Sequence, residues 1–296
     1  MSSLPLDVLA IAAHRDDVEQ TCGGTLLKMA DLGRRTGILD LTRGEMGTRG
    51  TAEDREREAA EAAKILRVSW RETLDIPDGR VENTWENRLK VARIIRQTRP
   101  RVVILPYWKG RHPDHYTASK LGYEACFLAG LAKLAISQNH VARAPSPATE
   151  ESAFRRVASA VASVVAGEQQ DFGRGTTSRR AVEGSQKDAA SAPEGTPHRP
   201  FKIIYATLYY DVRPTFVVNI TDQFEARFES LMAYKSQFSD QQASKDIFPP
   251  HAEIRARIES MARFYGMMAG VTYAEPFLQK EVGLVEDVTA IAVKSI

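Results

Sequence analysis

The run Leu6-Asp7-Val8-Leu9-Ala10-Ile11-Ala12, followed at once by Ala13-His14-Arg15-Asp16-Asp17-Val18-Glu19, decides how the rest of the chain is read. The run is almost continuously apolar and does not alternate, as expected of a strand covered on both faces. From Asp17 to Arg35, Val18, Cys22, Leu26 and Met29 fall on one helical face, with Gly33 and basic residues at the end. A helix is therefore expected over that span. A buried strand feeding directly into a helix is the opening of a βαβ unit.

The pattern repeats outward from there. Thr36–Thr42 reads as a second strand and Thr51–Arg67 as an amphipathic helix. That helix has early acids (Glu53, Asp54, Glu56, Glu58) and late bases (Lys64, Arg67), which complement its dipole. Trp70–Ile76 reads as a third strand, Thr84–Thr98 as a helix and Arg101–Pro106 as a fourth strand. Strands separated by helices at this spacing predict an α/β, Rossmann-like fold, with a mostly parallel sheet and helices on both faces.

The middle of the chain breaks the pattern. From about 137 to 199 it is rich in Ala, Ser, Gly, Arg, Glu and Gln, and Gly167–Pro200 has almost no large apolar residues. Such a stretch cannot offset its own ordering entropy. The expectation is one domain over 1–296, interrupted by a polar, largely disordered insertion at about 137–199 with a helix-like piece at Ala153–Ala166. Order returns with strands at Phe201–Leu208 and Thr215–Ile220 and helices at Thr221–Gln237 and His251–Ala269. A tail, Tyr273–Ile296, follows.

Composition excludes several classes. The chain has 296 residues and a formal charge of +2, with Lys and Arg spread along its length. A dedicated nucleic-acid surface would cluster them, so no nucleic-acid partner is expected. No apolar stretch approaches the roughly 20 residues of a membrane helix. The first residues lack the basic region of a signal peptide. Cys22 and Cys126 are too few for a disulfide framework and read as buried thiols in a reducing cytoplasm.

Two clusters carry chemistry, each just past the C-terminal end of an expected parallel strand, where doubly wound sheets place ligands. One is His14-Arg15-Asp16-Asp17-Val18-Glu19, leading into Gly23-Gly24-Thr25; the other is His112-Pro113-Asp114-His115. Taken singly, each has a plainer reading: Asp16 or Asp17 as a helix N-cap, the histidines as loop residues. Their joint occurrence favours a site. Two imidazoles and a carboxylate form a common catalytic zinc set, a further carboxylate can take a proton from water, and a further imidazole can serve the oxyanion or leaving group. Such a donor set accepts several divalent ions, Fe2+ among them. Gly23-Gly24 lies inside the expected helix, where close packing is a better role than a phosphate loop.

These two motifs resemble those of the LmbE-like (PIG-L) deacetylase family, whose first motif is usually Ala-His-Pro-Asp-Asp-x-Glu. Three further stretches, Leu41–Leu66, Arg213–Phe238 and Phe264–Leu278, resemble the branch of that family that serves bacillithiol biosynthesis. The resemblance implies a Zn2+ ion held by His14, Asp17 and His115, with Asp16 as general base. It implies that His112 stabilises the oxyanion or protonates the leaving amine, with Asp114 as its orienting partner. Glu45, Thr48, Arg49 and Gly50 would line the sugar pocket, Arg55 would sit at its rim, and Tyr273 and Glu275 would close it from the tail. Residues on a charged helix, such as Arg55 and Glu58, more often form a solvated face. Arg15 departs from the family pattern: it replaces a proline that would fix the backbone between ligand and base.

The implied activity is hydrolysis of the acetamide of N-acetylglucosaminyl malate, by a cytoplasmic homo-oligomer. Other N-acetylglucosamine conjugates remain open as substrates: inositol-linked, chitin-derived or antibiotic intermediates. A non-catalytic sugar- or nucleotide-binding module would predict ligand binding without metal, and the insertion could add a scaffold role.

Overall fold

The computed structural model describes residues 5–136, 196–207, 211–239 and 249–293. The body of the expected insertion, including the helix expected at Ala153–Ala166, lies outside them. Among the described residues, seven strands form one sheet: β1 Val8–Ala12, β2 Thr36–Asp40, β3 Trp70–Thr73, β4 Val102–Pro106, β5 Lys202–Ala206, β6 Phe216–Asn219 and β7 Ala274–Leu278. Their order is β3-β2-β1-β4-β5-β7-β6. Strands β1 to β5 pair in parallel, whereas β7 runs antiparallel to both β5 and β6. The fold is α/β with a mostly parallel sheet.

The continuous apolar run of β1 is explained by the two faces it serves. Leu9 and Ile11 enter one core, with Val91, Ile94 and Ile95 of α4 (Trp85–Thr98) and Leu121 and Cys126 of α5 (Pro113–Ala129). Val8, Ala10 and Ala12 enter the opposite core, with Val18 of α1 (Asp17–Thr21), Leu26 of α2 (Gly23–Asp31) and Leu66, which ends α3 (Ala52–Ile65). Side chains alternate across a strand, so a strand between two helix layers must be apolar at every position.

The helix expected from Asp17 to Arg35 is two helices. Cys22, at φ −146°, breaks the chain between α1 and α2. The amides freed at the start of α2 are taken by a distant carboxylate: Glu275 accepts from Gly24 N at 2.9 Å and from Thr25 N at 2.7 Å, and from Thr25 Oγ1 at 2.6 Å. A Cβ on Gly24 would lie 2.9 Å from Glu275 Oε1, so glycine is what lets that carboxylate reach the helix end. The helix expected over Thr221–Gln237 is also interrupted, giving a 3-10 turn at Thr221–Gln223, α6 at Phe224–Met232 and α7 at Lys235–Phe238. Helix α8, His251–Ala269, matches its expected span.

The direction of winding reverses between β1 and β4: β2 and β3 lie to one side, β5 to the other. The crevice outside the C-terminal ends of these two strands is the switch point of the sheet. The segment after β1 carries His14, Asp16 and Asp17; the segment after β4 carries His112, Asp114 and His115.

Candidate active site

The turn after β1 is strained where it matters. Asp16 holds φ 101°, a left-handed conformation that costs a non-glycine residue roughly 1–3 kcal/mol. It also sets the start of α1, with the Asp17 carboxylate against His14 and the Asp16 carboxylate against Arg55. Asp17 Oδ2 accepts from the His14 main-chain N at 2.9 Å, and Gln20 N donates to the Asp16 carbonyl at 3.1 Å. From the other side of the crevice, Pro113 opens α5 as a first-turn proline, which brings His112 to the N-cap and His115 one turn into the cleft.

Donor atoms of three residues converge. His14 Nδ1 and His115 Nε2 are 3.2 Å apart, His115 Nε2 and Asp17 Oδ1 are 3.2 Å apart, and His14 Nδ1 and Asp17 Oδ2 are 3.5 Å apart. Ligands of a tetrahedral zinc at roughly 2.0–2.1 Å stand about 3.3 Å from one another. Two imidazole nitrogens and a carboxylate at those separations fit one divalent cation.

Two other donor groups lie within 4.8 Å among the described residues: His14 with His112 and His115, and His14 with Asp78 and Asp114. The second surrounds the far nitrogen of His14. Its Nε2 is 3.1 Å from Asp78 Oδ1 and 3.2 Å from Asp114 Oδ2. An imidazole that gives one nitrogen to a metal gives the other to a carboxylate that orients it, so this group reads as support for the first centre.

Asp114 is therefore a correction. Its carboxylate faces His14 and accepts from Gly79 N at 2.8 Å and Val81 N at 3.2 Å. It is the Asp114 main-chain N that meets His112, donating to Nδ1 at 3.2 Å. With Nδ1 accepting, a neutral His112 carries its proton on Nε2. Burial and the neighbouring His14 and His115 lower the His112 pKa, which favours that neutral form.

Electrostatics separates the two aspartates. Burial pushes Asp16 up to about 7, against the pull of Arg55. Burial would raise Asp17 too, but His115 and His14 outweigh it and hold it well below the usual carboxylate range. Burial would lower His14, yet Asp17 and Asp78 carry it up to about 11. One carboxylate can exchange a proton near neutrality; the other is a fixed anion.

Arg55 is not on a solvated face. It is 5% exposed, and its Nη2 donates to the Arg15 carbonyl and to Asp16 Oδ1, the latter at 3.2 Å. Helix α3 begins with a capping box at Thr51 and Asp54, and the residue after that acid points inward.

The residues around Arg55 open onto a cleft of about 730 Å3, lined by His14, Asp16, Asp17, Gln20, Met46, Gly47, Arg55, Asp78, Gly79, Arg111, His112, His115 and Gln237. The expected metal ligands, Asp16, His112 and Arg55 thus share one cavity. The loop after β2 contributes through Met46 and Gly47, whereas Glu45, Thr48, Arg49 and Gly50 are not in the lining. Glu45 accepts from Asp78 N at 2.8 Å, Thr48 is exposed, the Arg49 carbonyl accepts from Gln237 Nε2 at 2.7 Å, and Gly50 packs on Ser236.

The two tail residues are a second correction. Glu275 is buried at the N-terminus of α2 and pairs with Arg227 at 3.0 Å. Tyr273 stacks on Phe224 at 4.0 Å and bonds to Glu259 and Arg263, each at 2.8 Å. Glu275 lies in β7 and Tyr273 just before it, so the expected tail contains a strand.

Asp78, Gln20, Arg111 and Gln237 are in the lining without having been expected. Asp78 had a signal: Pro77-Asp78-Gly79 follows the third strand at the same edge of the sheet as both motifs.

A family model described as PIG-L, GlcNAc-PI de-N-acetylase, matches residues 9–126, a span that contains both motifs. The diacetylchitobiose deacetylase of Thermococcus kodakarensis is 27% identical over 279 residues, 90% of this chain and 80% of that protein. The uncharacterized deacetylase YaiS of Escherichia coli is 31% identical over 125 residues, 40% of this chain and 67% of that protein. Among solved structures, the conserved protein TT1542 from Thermus thermophilus superposes with a TM-score of 0.67 at 34% identity, covering 95% of this chain and 98% of that chain.

Proposed function

The chain belongs to the PIG-L/LmbE-like deacetylase family, and we propose that its cleft hydrolyses the acetamide of an N-acetylglucosamine conjugate, N-acetylglucosaminyl malate, with a zinc ion. The observation that carries this reading is the convergence of His14 Nδ1, Asp17 and His115 Nε2 within 3.5 Å of one another, with Asp16 beside them. His14, Asp17 and His115 would hold the ion, which supplies Lewis acidity to the amide carbonyl and makes water more acidic.

The chain's own residues do the rest. Asp16, poised near neutrality, takes a proton from the attacking water, whose oxygen adds to the acetamide carbon. Arg55 fixes the Asp16 carboxylate and keeps it from binding its proton too tightly. His112 offers its Nε2–H to the oxyanion as it forms. When the C–N bond breaks, the proton on Asp16 passes to the leaving nitrogen, giving acetate and a free amine. Asp78 and Asp114 hold the His14 ring in place throughout.

The malate conjugate is favoured over neutral N-acetyl sugars because Arg111 lines the cleft, where a guanidinium can meet a substrate carboxylate. A panel of N-acetylglucosaminyl malate, diacetylchitobiose and an inositol-linked N-acetylglucosamine, compared by kcat/KM, tests the assignment. Preference for diacetylchitobiose would move this chain toward the substrate named for its Thermococcus relative.

We also read the chain as a cytoplasmic homo-oligomer of one domain with an insertion. Both thiols are buried and free. Among the described residues no helix is long and apolar enough to cross a membrane. The tail leaves Val282 97% and Leu284 88% exposed, which supports burial against another copy. Light scattering tests the assembly.

A further inference from the structure

Arg15 stands between a proposed metal ligand and the proposed base, yet its side chain does not enter the cleft. His14, Asp16 and Asp17 line the cavity while Arg15 turns the other way and is 4% exposed. A buried guanidinium must place its donors. Here Nε and Nη2 donate to Thr73 Oγ1, at 3.3 and 3.2 Å, and Nη1 donates to the Ala52 carbonyl at 2.8 Å. No carboxylate is among these partners; Asp40 and Glu56 balance the charge from farther away.

The two anchor points have a clear relation to the site. Thr73 ends β3, and Ala52 is the first residue of α3, one turn before Arg55. Arg55 in turn donates to the carbonyl of Arg15 and to the carboxylate of Asp16. The result is a reciprocal clasp: the Arg15 side chain grips the start of α3, and a side chain from α3 grips the Arg15 main chain. Between these two grips lies the strained Asp16 at φ 101°.

We infer that Arg15 is a positioning residue: its guanidinium braces the His14–Asp17 turn against β3 and α3, doing through hydrogen bonds what a proline ring would do through a fixed φ. It touches neither substrate nor reacting atoms, and it acts through the placement of Asp16 and the metal ligands. The catalytic part of this inference rests on the proposed role of Asp16; the bracing of the ligands does not.

The test compares wild type with Arg15→Met, Arg15→Lys, Thr73→Val, Arg55→Met and the double variant Arg15→Met with Arg55→Met. Zinc affinity of the metal-stripped proteins is read by competition with a chromophoric chelator, and kcat and KM by acetate release from N-acetylglucosaminyl malate and diacetylchitobiose at saturating zinc. Loosening the turn should weaken zinc binding by about 10-fold in Arg15→Met. It should lower kcat by about 10- to 100-fold while KM stays within about 2-fold, since misplacement costs rate and no substrate contact is lost. Arg15→Lys should recover part of both losses, and Thr73→Val should show smaller losses of the same kind. Because the clasp is shared, the double variant should be no worse than Arg55→Met alone.

A rise in KM at constant kcat would place Arg15 on the substrate and overturn the inference. So would a folded Arg15→Met with wild-type zinc affinity and kcat. If Arg15→Met does not fold, wild-type values in both Arg15→Lys and Thr73→Val overturn it equally. Should the wild type bind zinc yet release no acetate from either substrate, the proposed function falls, and the zinc affinities still decide the role of Arg15.

Discussion

Arg55 Nη2 lies 3.2 Å from Asp16 Oδ1, inside a cleft where burial raises that aspartate's pKa. The guanidinium works against burial, and the balance leaves Asp16 at about 7. A base must be unprotonated to act, so activity falls as pH drops through its pKa. Removing the cation favours the neutral acid and raises that pKa. In Arg55→Met the acidic limb of the kcat/KM profile should therefore move to higher pH, and Arg55→Lys should move it back part of the way. A limb that stays in place or moves to lower pH would show that Arg55 does not tune Asp16.

Asp16→Asn removes the base and leaves the three metal donors intact. Turnover should drop by about 10²- to 10⁴-fold, the range that positioned general bases contribute. Zinc content, measured by atomic emission, should remain one per chain. Retained turnover would exclude Asp16 as the base, and loss of zinc would make it a ligand.

Much of this site was legible before any coordinates. The unalternating run Val8–Ala12 required two covering layers, and the regular spacing of strands and helices up to Pro106 fixed the parallel part of the sheet. Both motifs then had to fall at strand ends. What was not legible depended on partners distant in sequence. The break at Cys22 is stabilised by Glu275, 251 residues from Gly24. Strand β7 hides in Ala274-Glu275-Pro276-Phe277-Leu278, where a proline and an acid argue against a central strand. It is tolerated because β5 pairs only with Phe277 and Leu278, leaving Pro276 opposite Val217 of β6 alone. Arg55 was expected at the pocket rim, but its bonds to the Arg15 carbonyl and Asp16 were not, because periodicity assigns a face and not the partners beneath it.

Glu275 was expected at the substrate and is found at the N-terminus of α2, which gives a clean distinction between the two roles. Glu275→Ala leaves Arg227 buried without its carboxylate and Gly24 and Thr25 without their acceptor. Breaking a buried pair costs about 3–5 kcal/mol. The urea midpoint should fall accordingly, while the KM of the protein that remains folded should not change. A raised KM at wild-type stability would restore Glu275 to the pocket.

Asp78 and Asp114 share the far nitrogen of His14, and both take main-chain amides as well: Asp78 from Met46 at 2.9 Å, Asp114 from Gly79 at 2.8 Å. Replacing either by alanine should weaken zinc binding by about 10- to 100-fold without removing a ligand. Chelator competition would read the change. Unaltered affinity in both variants would mean that His14 is held by other contacts.

The central claim is that the His14, Asp17 and His115 donors hold an ion on which deacetylation depends. Its most direct test is acetate release from N-acetylglucosaminyl malate by protein stripped of metal and then titrated with Zn2+. The stripped protein should release none, and recovery should saturate at one zinc per chain. Release from the stripped protein, or none from protein that has bound its zinc, would contradict it.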